Sequence, residues 1–274
     1  MTDQELRQKA VEVREGIIES VHAAGSGHPG GSLGAADIFT YLYFKEMNFA
    51  TQQPKAEGRD RFVLSKGHTA PGLYSVMAAR GYFPKEELLT LRKLGSRLQG
   101  HPNMNDLPGV DMSTGSLGQG ISTAVGMALA AKMDGKDYRI FTLLGDGEIQ
   151  EGQVWEAAMF AGARQLDNLV VIVDNNNLQI DGTIEDVNSP YPIDKKFEAF
   201  QFHVIDVEDG NDISQLRHAF DEARQVKGRP TAIIARTVKG NGVSFMENVA
   251  GWHGKAPNDE KYEQAMEEIR KEEL

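Results

Sequence analysis

Apolar residues near the start of the chain fall at Leu6, Ala10, Val13, Ile17 and Val21, the spacing of one helix face. That pattern stops at the glycine-rich "AAGSGHPGGS" (23–32). Later the period changes to short β-branched runs: "RFVLS" (61–65), "RIFTLL" (139–144), "LVVIVD" (169–174), "HVIDV" (203–207) and "TAIIAR" (231–236). Such runs read as buried strands. Helical segments lie between several of them, notably "GISTAVGMALAAKM" (120–133) and "VWEAAMFAGARQL" (154–166). Strands alternating with helices predict an α/β fold, a mainly parallel sheet sandwiched by helices and joined by right-handed crossovers. Three long stretches (95–117, 176–200 and 238–258) show no period and are rich in Gly, Asn and His, so they are expected to wall a site. The ending, "DEKYEQAMEEIRKEEL" (259–274), reads as a charged helix or a solvated tail.

Composition narrows the class. The 274 residues hold one large domain or two small ones, and 40% hydrophobic with 25% charged residues excludes wholesale disorder. The apolar runs fall short of a bilayer span, and the charged N-terminus lacks a signal-peptide core. A net charge of -11 argues against a nucleic-acid surface. The absence of cysteine excludes disulfides and thiolate metal sites and fits a reducing compartment. The expectation is a cytoplasmic protein with no membrane or nucleic-acid partner.

Parallel sheets present ligands at the carboxyl ends of their strands. "RIFTLL" runs directly into Gly145-Asp146-Gly147, which aims one carboxylate out of a strand end between two residues without side chains. Thirty residues beyond Asp146, "LVVIVD" empties into Asn176. Two hard oxygen ligands on adjacent strand ends suit magnesium, which shares its octahedron with a ligand's phosphates. The glycines allow close backbone approach to a diphosphate, and a helix predicted to begin near Gln150 offers its N-terminus to the anion. A tight turn or a polar loop explains either piece alone; the pair points to a metal site.

The histidines divide. His28, His68, His101 and His253 each adjoin a glycine in loops, whereas His22, His203 and His218 lie in regular-looking segments and read as surface or core residues. A four-histidine zinc site finds no support in i, i+4 or H-x-H spacing. "GSGHPG" (25–30) satisfies G-x-G-x-x-G formally but follows a helix, so it is not a dinucleotide fingerprint. "TVKGNGVSF" (237–245), with Lys239, reads either as a loop near the site or as a plain glycine-rich turn.

"GDGEIQEG" (145–152) followed by "DNNNLQIDG" (174–182) resembles the thiamine-diphosphate signature. "SGHPGGSLGAADI" (26–38), "LSKGHTAPGLYS" (64–75), "LQGHPN" (98–103), "STGSLGQGISTAVGMALAAK" (113–132) and "WHGKAP" (252–257) narrow it: in order and spacing the chain is similar to the transketolase family. The resemblance covers nearly the whole chain, and only the first third to half of a single-chain transketolase. It implies one diphosphate-binding domain over 1–274, with the pyrimidine-binding and C-terminal domains on a separate chain.

Carried over, the resemblance makes Asp146 and Asn176 side-chain ligands of Mg2+ (or of Ca2+ or Mn2+ in its place), with Leu178 supplying a backbone carbonyl. Gly115 and Gly147 match positions where backbone meets the cofactor, and Leu117 matches a residue near the thiazolium. His28, His68, His101 and His253 match the polar wall around thiazolium and sugar, His68 and His253 also touching the cofactor. Glu151 and Glu156 match interface acids that couple two cofactor sites, Glu151 in a catalytic role and Glu156 in a cofactor-binding one; the plainer reading is two acids at a helix start. The implied reaction moves a two-carbon ketol unit from a ketose phosphate to an aldose phosphate. It requires a C-terminal transketolase subunit, in an α2β2 heterotetramer. The alternatives are the alpha subunit of a 2-oxo acid dehydrogenase, a deoxyxylulose-phosphate synthase fragment, a specialised sugar ketol transferase, and a non-catalytic cofactor-binding protein.

Overall fold

The computed structural model describes residues 1–271. Helix α1 (Asp3–Ala24) starts at Thr2, whose side chain and Glu5 form a reciprocal capping box, and stops at Gly25 in the left-handed region. Short helices α2 (Pro29–Gly34) and α3 (Ala36–Tyr41) follow, then β1 (Arg61–Leu64), α4 (Ala70–Arg80), α5 (Gly120–Met133), β2 (Ile140–Gly145), α6 (Gly152–Ala163) and β3 (Leu169–Asn175). A minimal hairpin of β4 (Leu178–Gln179) and β5 (Gly182–Thr183) leads to α7 (Ile184–Asn188) and α8 (Ile193–Ala199). The chain closes with β6 (His203–Val207), α9 (Ile213–Gln225), β7 (Thr231–Arg236) and α10 (Asp259–Lys271).

Strands β1-β2-β3-β7-β6 form one sheet in that order, every neighbour parallel. The register sets Leu64 beside Leu143, Gly145 beside Asp174 and Asn175 beside Arg236, so the carboxyl ends share one rim. Alternation along each strand divides the apolar residues between two cores. Phe62, Phe141, Leu143, Val170, Ile172 and Ile233 pack under α1, α3, α4, α9 and α10. Val63, Ile140, Leu144, Val171, Val173 and Ile234 pack under α5, α6 and α8. This is the two-sided burial that near-continuous apolar strands require.

The α/β expectation and all five predicted strands are present within a residue or two. The helix stop in the glycine-rich segment and the helix start near Gln150 hold to within two residues, with added detail, and a patternless 176–200 is corrected. The glycine-rich stop at 23–32 holds helix α2, because Pro29 begins it and Gly30 and Gly34 let it press against the backbone of Trp252 and Val238. The stretch 176–200 is not patternless but contains β4, β5, α7 and α8, with Thr183 capping α7. The helix expected near Gln150 begins at Gly152, after a single tight turn at Glu148–Gln150. The last predicted helix is α10; its expected continuation over 272–274 lies outside the described residues. No helix among the described residues is long and apolar enough to cross a membrane.

Candidate active site at the carboxyl rim

Four strand ends empty into one cavity of about 230 Å³. From β1 come Lys66 and His68; from β2, Asp146 and Gly147; from β3, Asn176 and Leu178; from the segment after β7, Lys239. His28 of the loop before α2, His253, Gly115 and Leu117 complete the wall.

On the sheet side the cavity is rich in oxygen. Asp146 is only 2% exposed and accepts hydrogen bonds from the backbone N–H of Gly147 (2.9 Å) and of Asn177 (2.6 Å). Burial and then the charge of Asp174 push its carboxyl up to about 7, although these two amides and Lys239 pull the other way. Asn176 directs its Nδ2 to Asp174 (3.0 Å), and its Oδ1 accepts from Leu178 N–H at 3.1 Å. Asp174 is fully buried and is neutralised by Lys66, with Thr237 also donating to it. Lys239, 2% exposed, donates from Nζ to the Leu178 carbonyl at 3.0 Å; burial lowers it to about 8.

These residues fit a divalent cation. Asp146 carries its charge at a cost from burial that an adjacent cation relieves. The Leu178 carbonyl already accepts from the ammonium of Lys239, so its oxygen is turned to a cation. Among the described residues no three His, Asp or Glu side chains group to hold a metal unaided. The oxygen set here instead mixes one carboxylate, an amide and a carbonyl, so a ligand's phosphates have to complete an octahedron. Gly147 lines the cavity, and a Cβ there would rest in ordinary contact on Gln179 and Ile184 at 3.4 Å.

Three histidines line the same cavity. The rings of His28, His68 and His253 lie 5.0–5.4 Å apart between centroids. Burial, aided by Arg92, lowers His28 to about 4; burial, aided by Lys239, lowers His253 to about 3; His68 is lowered strongly by burial and Lys66. All three are neutral imidazoles at neutral pH, able to donate or accept one hydrogen bond at each nitrogen.

The cavity therefore collects His28, His68, His253, Gly115, Leu117, Asp146, Gly147, Asn176 and Leu178 from the residues singled out in the sequence. Three others lie outside its lining. His101 is exposed and packs against Gly115, where a Cβ would meet its ring at 3.0 Å. Glu151 and Glu156 are exposed, the first directly before α6 and the second within it. The geometry also adds residues the sequence did not single out: Lys66, Asp174 and Glu148. Lys66 and Asp174 each sit at the end of a β-branched run, as Asp146 does, and that position was their available signal. Of the two readings of 237–245, the structure favours the loop near the site, because Lys239 points into the cavity.

Comparison with known proteins gives this arrangement a family. Residues 6–271 match the family described as "Transketolase, thiamine diphosphate binding domain". The chain is 43% identical over 268 residues to the 6-deoxy-6-sulfo-D-fructose transketolase subunit of a Clostridium species, covering 98% of this chain and 97% of that protein. It is 42% identical to an apulose-4-phosphate transketolase subunit of Phocaeicola vulgatus, covering 93% and 90%. Human transketolase is 45% identical over 270 residues, but there the match takes 97% of this chain and 42% of the relative. The crystal structure of Campylobacter jejuni transketolase superposes with a TM-score of 0.92 at 34% identity, covering 98% of this chain and 43% of that one. The chain thus spans about two fifths of the length of single-chain transketolases and nearly all of the subunits it matches. The protein belongs to the transketolase family, and its fold is that family's thiamine-diphosphate-binding α/β domain.

Proposed function

We propose that this chain is the diphosphate-binding subunit of a two-chain transketolase. With a partner subunit, it transfers a two-carbon ketol unit from a ketose phosphate to an aldose phosphate. The observation that carries the reading is that Asp146, Asn176 and Leu178 line one cavity together with the neutral imidazoles of His28, His68 and His253. In this reading Asp146, Asn176 and Leu178 hold Mg2+, or Ca2+ or Mn2+ in its place, against the diphosphate of thiamine diphosphate. Gly147 and Gly115 admit the cofactor to the backbone. When bound, thiamine diphosphate supplies the carbanion equivalent and the electron sink that ketol transfer requires.

The chain's own residues bind and orient. Lys239 and Lys66 place positive charge beneath the anion. Leu117 covers the ring side. His28, His68 and His253, kept neutral by burial, exchange hydrogen bonds and protons with a sugar's hydroxyl and carbonyl oxygens, with His101 at the outer edge. Glu151 and Glu156, exposed at α6, face the partner in the proposed assembly and couple the two cofactor sites of an α2β2 heterotetramer. The partner carries the pyrimidine-binding domain. Apolar side chains exposed near the cavity and on α5 and α6, including Leu117, Ile180, Met133, Met159 and Phe160, give it a surface to cover. The relatives of matching length are subunits named for unusual sugars, which supports including a specialised sugar in this proposal.

The test is ketol transfer from xylulose 5-phosphate to ribose 5-phosphate with thiamine diphosphate and Mg2+, using this chain alone, the candidate partner alone, and the two together. Activity confined to the mixture supports the proposal. Activity in this chain alone overturns the partner requirement.

A further inference from the structure

Glu148 stands two residues beyond Asp146, yet it does not point toward the cation ligands as a fourth oxygen donor would. It is 3% exposed, and its carboxylate accepts three hydrogen bonds from three separate parts of the chain. Ser65 Oγ, just past β1, donates to Oε1. The backbone N–H of Gly118 donates to the same oxygen at 2.9 Å. The N–H of Gly145, at the end of β2, donates to Oε2 at 3.1 Å. A buried carboxylate with three donors is satisfied, and removing it leaves buried N–H and O–H groups without partners.

The three segments do not depend on Glu148 equally. Ser65 adjoins β1, and Gly145 is paired with Asp174 in the sheet; Asp146 N–H is also bonded to the Asp174 carbonyl at 3.1 Å. Residues 115–118 belong to no strand or helix. Gly118 there has a φ of +82°, a conformation that favours glycine, and a Cβ would stand 2.7 Å from that of Glu151. The loop carrying Gly115 and Leu117 packs on the rim at Gly67, where a Cβ would stand 2.7 Å from Gly115 N, and Glu148 is the side chain that hydrogen-bonds it to Ser65 and Gly145.

We infer that Glu148 is a positioning residue that fixes the 115–118 loop, and with it Leu117, at a set distance from Asp146. The inference deepens the proposed function: Glu148 joins the ring-covering half of the site to the cation-binding half. It predicts a division between two ligands. Inorganic pyrophosphate with Mg2+ engages only the Asp146 half, which the sheet holds by itself. Thiamine diphosphate with Mg2+ needs both halves.

The experiment is calorimetric titration of the full chain and of its Glu148→Ala, Glu148→Gln and Ser65→Ala variants with each ligand, together with melting temperatures and amide exchange at Gly118. Glu148→Ala is expected to weaken thiamine diphosphate on the order of tenfold, to leave pyrophosphate within about threefold, and to speed Gly118 exchange. Ser65→Ala keeps both amide bonds and is expected to stay near the wild-type ratio. Glu148→Gln keeps one acceptor oxygen and turns an NH2 toward a backbone N–H, so it is expected to show a smaller split of the same sign. It decides the matter if the alanine variant does not fold. Equal losses for both ligands that follow a fall in melting temperature overturn the inference, as do unchanged affinities. If the wild-type chain binds neither ligand alone, the titrations are made with the partner subunit present, where absence of binding overturns the functional reading; Gly118 exchange in the chain alone decides on Glu148 separately, and unchanged exchange in the variants overturns its role.

Discussion

The ammonium of Lys239 donates to the carbonyl oxygen of Leu178 at 3.0 Å, so one of the oxygens proposed for the metal already carries a cation of the protein's own. The two cations compete for that oxygen, whereas a diphosphate attracts both. Lys239→Met, which keeps the bulk and removes the charge, is therefore expected to act in opposite directions on two titrations. Mg2+ alone should bind more tightly; thiamine diphosphate with Mg2+ should bind less tightly, on the order of tenfold. A change of the same sign in both would refute the competition.

Asp146 trades stability for binding. Its folded carboxyl stands at about 7 against an ordinary 3.8, through burial and the neighbouring Asp174. A group raised in the folded state gives stability below its unfolded value, and that stability is lost as pH rises through the folded value. The metal-free chain should therefore lose stability through this group between pH 3.8 and about 7. Asp146→Asn should lack that limb of the curve and also lose Mg2+-dependent cofactor binding. Its gain in stability is limited, because the new NH2 faces the N–H of either Gly147 or Asn177. Denaturant midpoints across this range, with a calorimetric titration, test both statements, and retained cofactor affinity would remove Asp146 from the ligand set.

The imidazoles slope the other way. Burial and Arg92 hold His28 at about 4 against an ordinary 6.5. As pH falls below 6.5 the unfolded chain takes up a proton that the folded chain refuses, and stability is lost until the pH passes about 4. His28→Gln should shallow this acid limb without moving the midpoint's pH dependence above it. An acid limb of undiminished slope in the variant would show that His28 accepts its proton in the folded state.

Phe160 and Met159, 40% and 57% exposed on α6, are suited to a second chain. Phe160→Glu is expected to leave the stability of the isolated chain within about 1 kcal/mol of wild type and to abolish association with the partner subunit. Co-elution of the variant with the partner at wild-type ratio would move the interface elsewhere.

How much of this was legible depended on sequence distance. The strands announced themselves through β-branched runs, and Asp146 and Asn176 through the abruptness with which those runs end. Glu148 was hidden because in "GDGEIQEG" it looks like Glu151, an acid near a helix start. Only the contacts with Ser65, 83 positions away, and Gly118, 30 away, separate the buried acid from the exposed one. Helix α2 was illegible for a related reason: glycine lowers helix propensity everywhere, but here it admits the backbones of Val238 and Trp252 from the far end of the chain. Lys239 stayed ambiguous because a glycine-rich turn says nothing about where its one charged side chain points.

The division of the apolar residues into two cores has a consequence for how such a protein diversifies. His28, His68 and His253 are carried by segments anchored in the core of α1, α3 and α4, while Met133, Met159 and Phe160 stand on helices of the core of α5 and α6. The sheet rim bearing Asp146 and Asn176 is the seam between them. In the proposed reading, a substitution on α5 or α6 alters the partner surface through a core that carries none of these imidazoles, whereas one at Leu117 or Ile180, which line the cavity itself, bears on both.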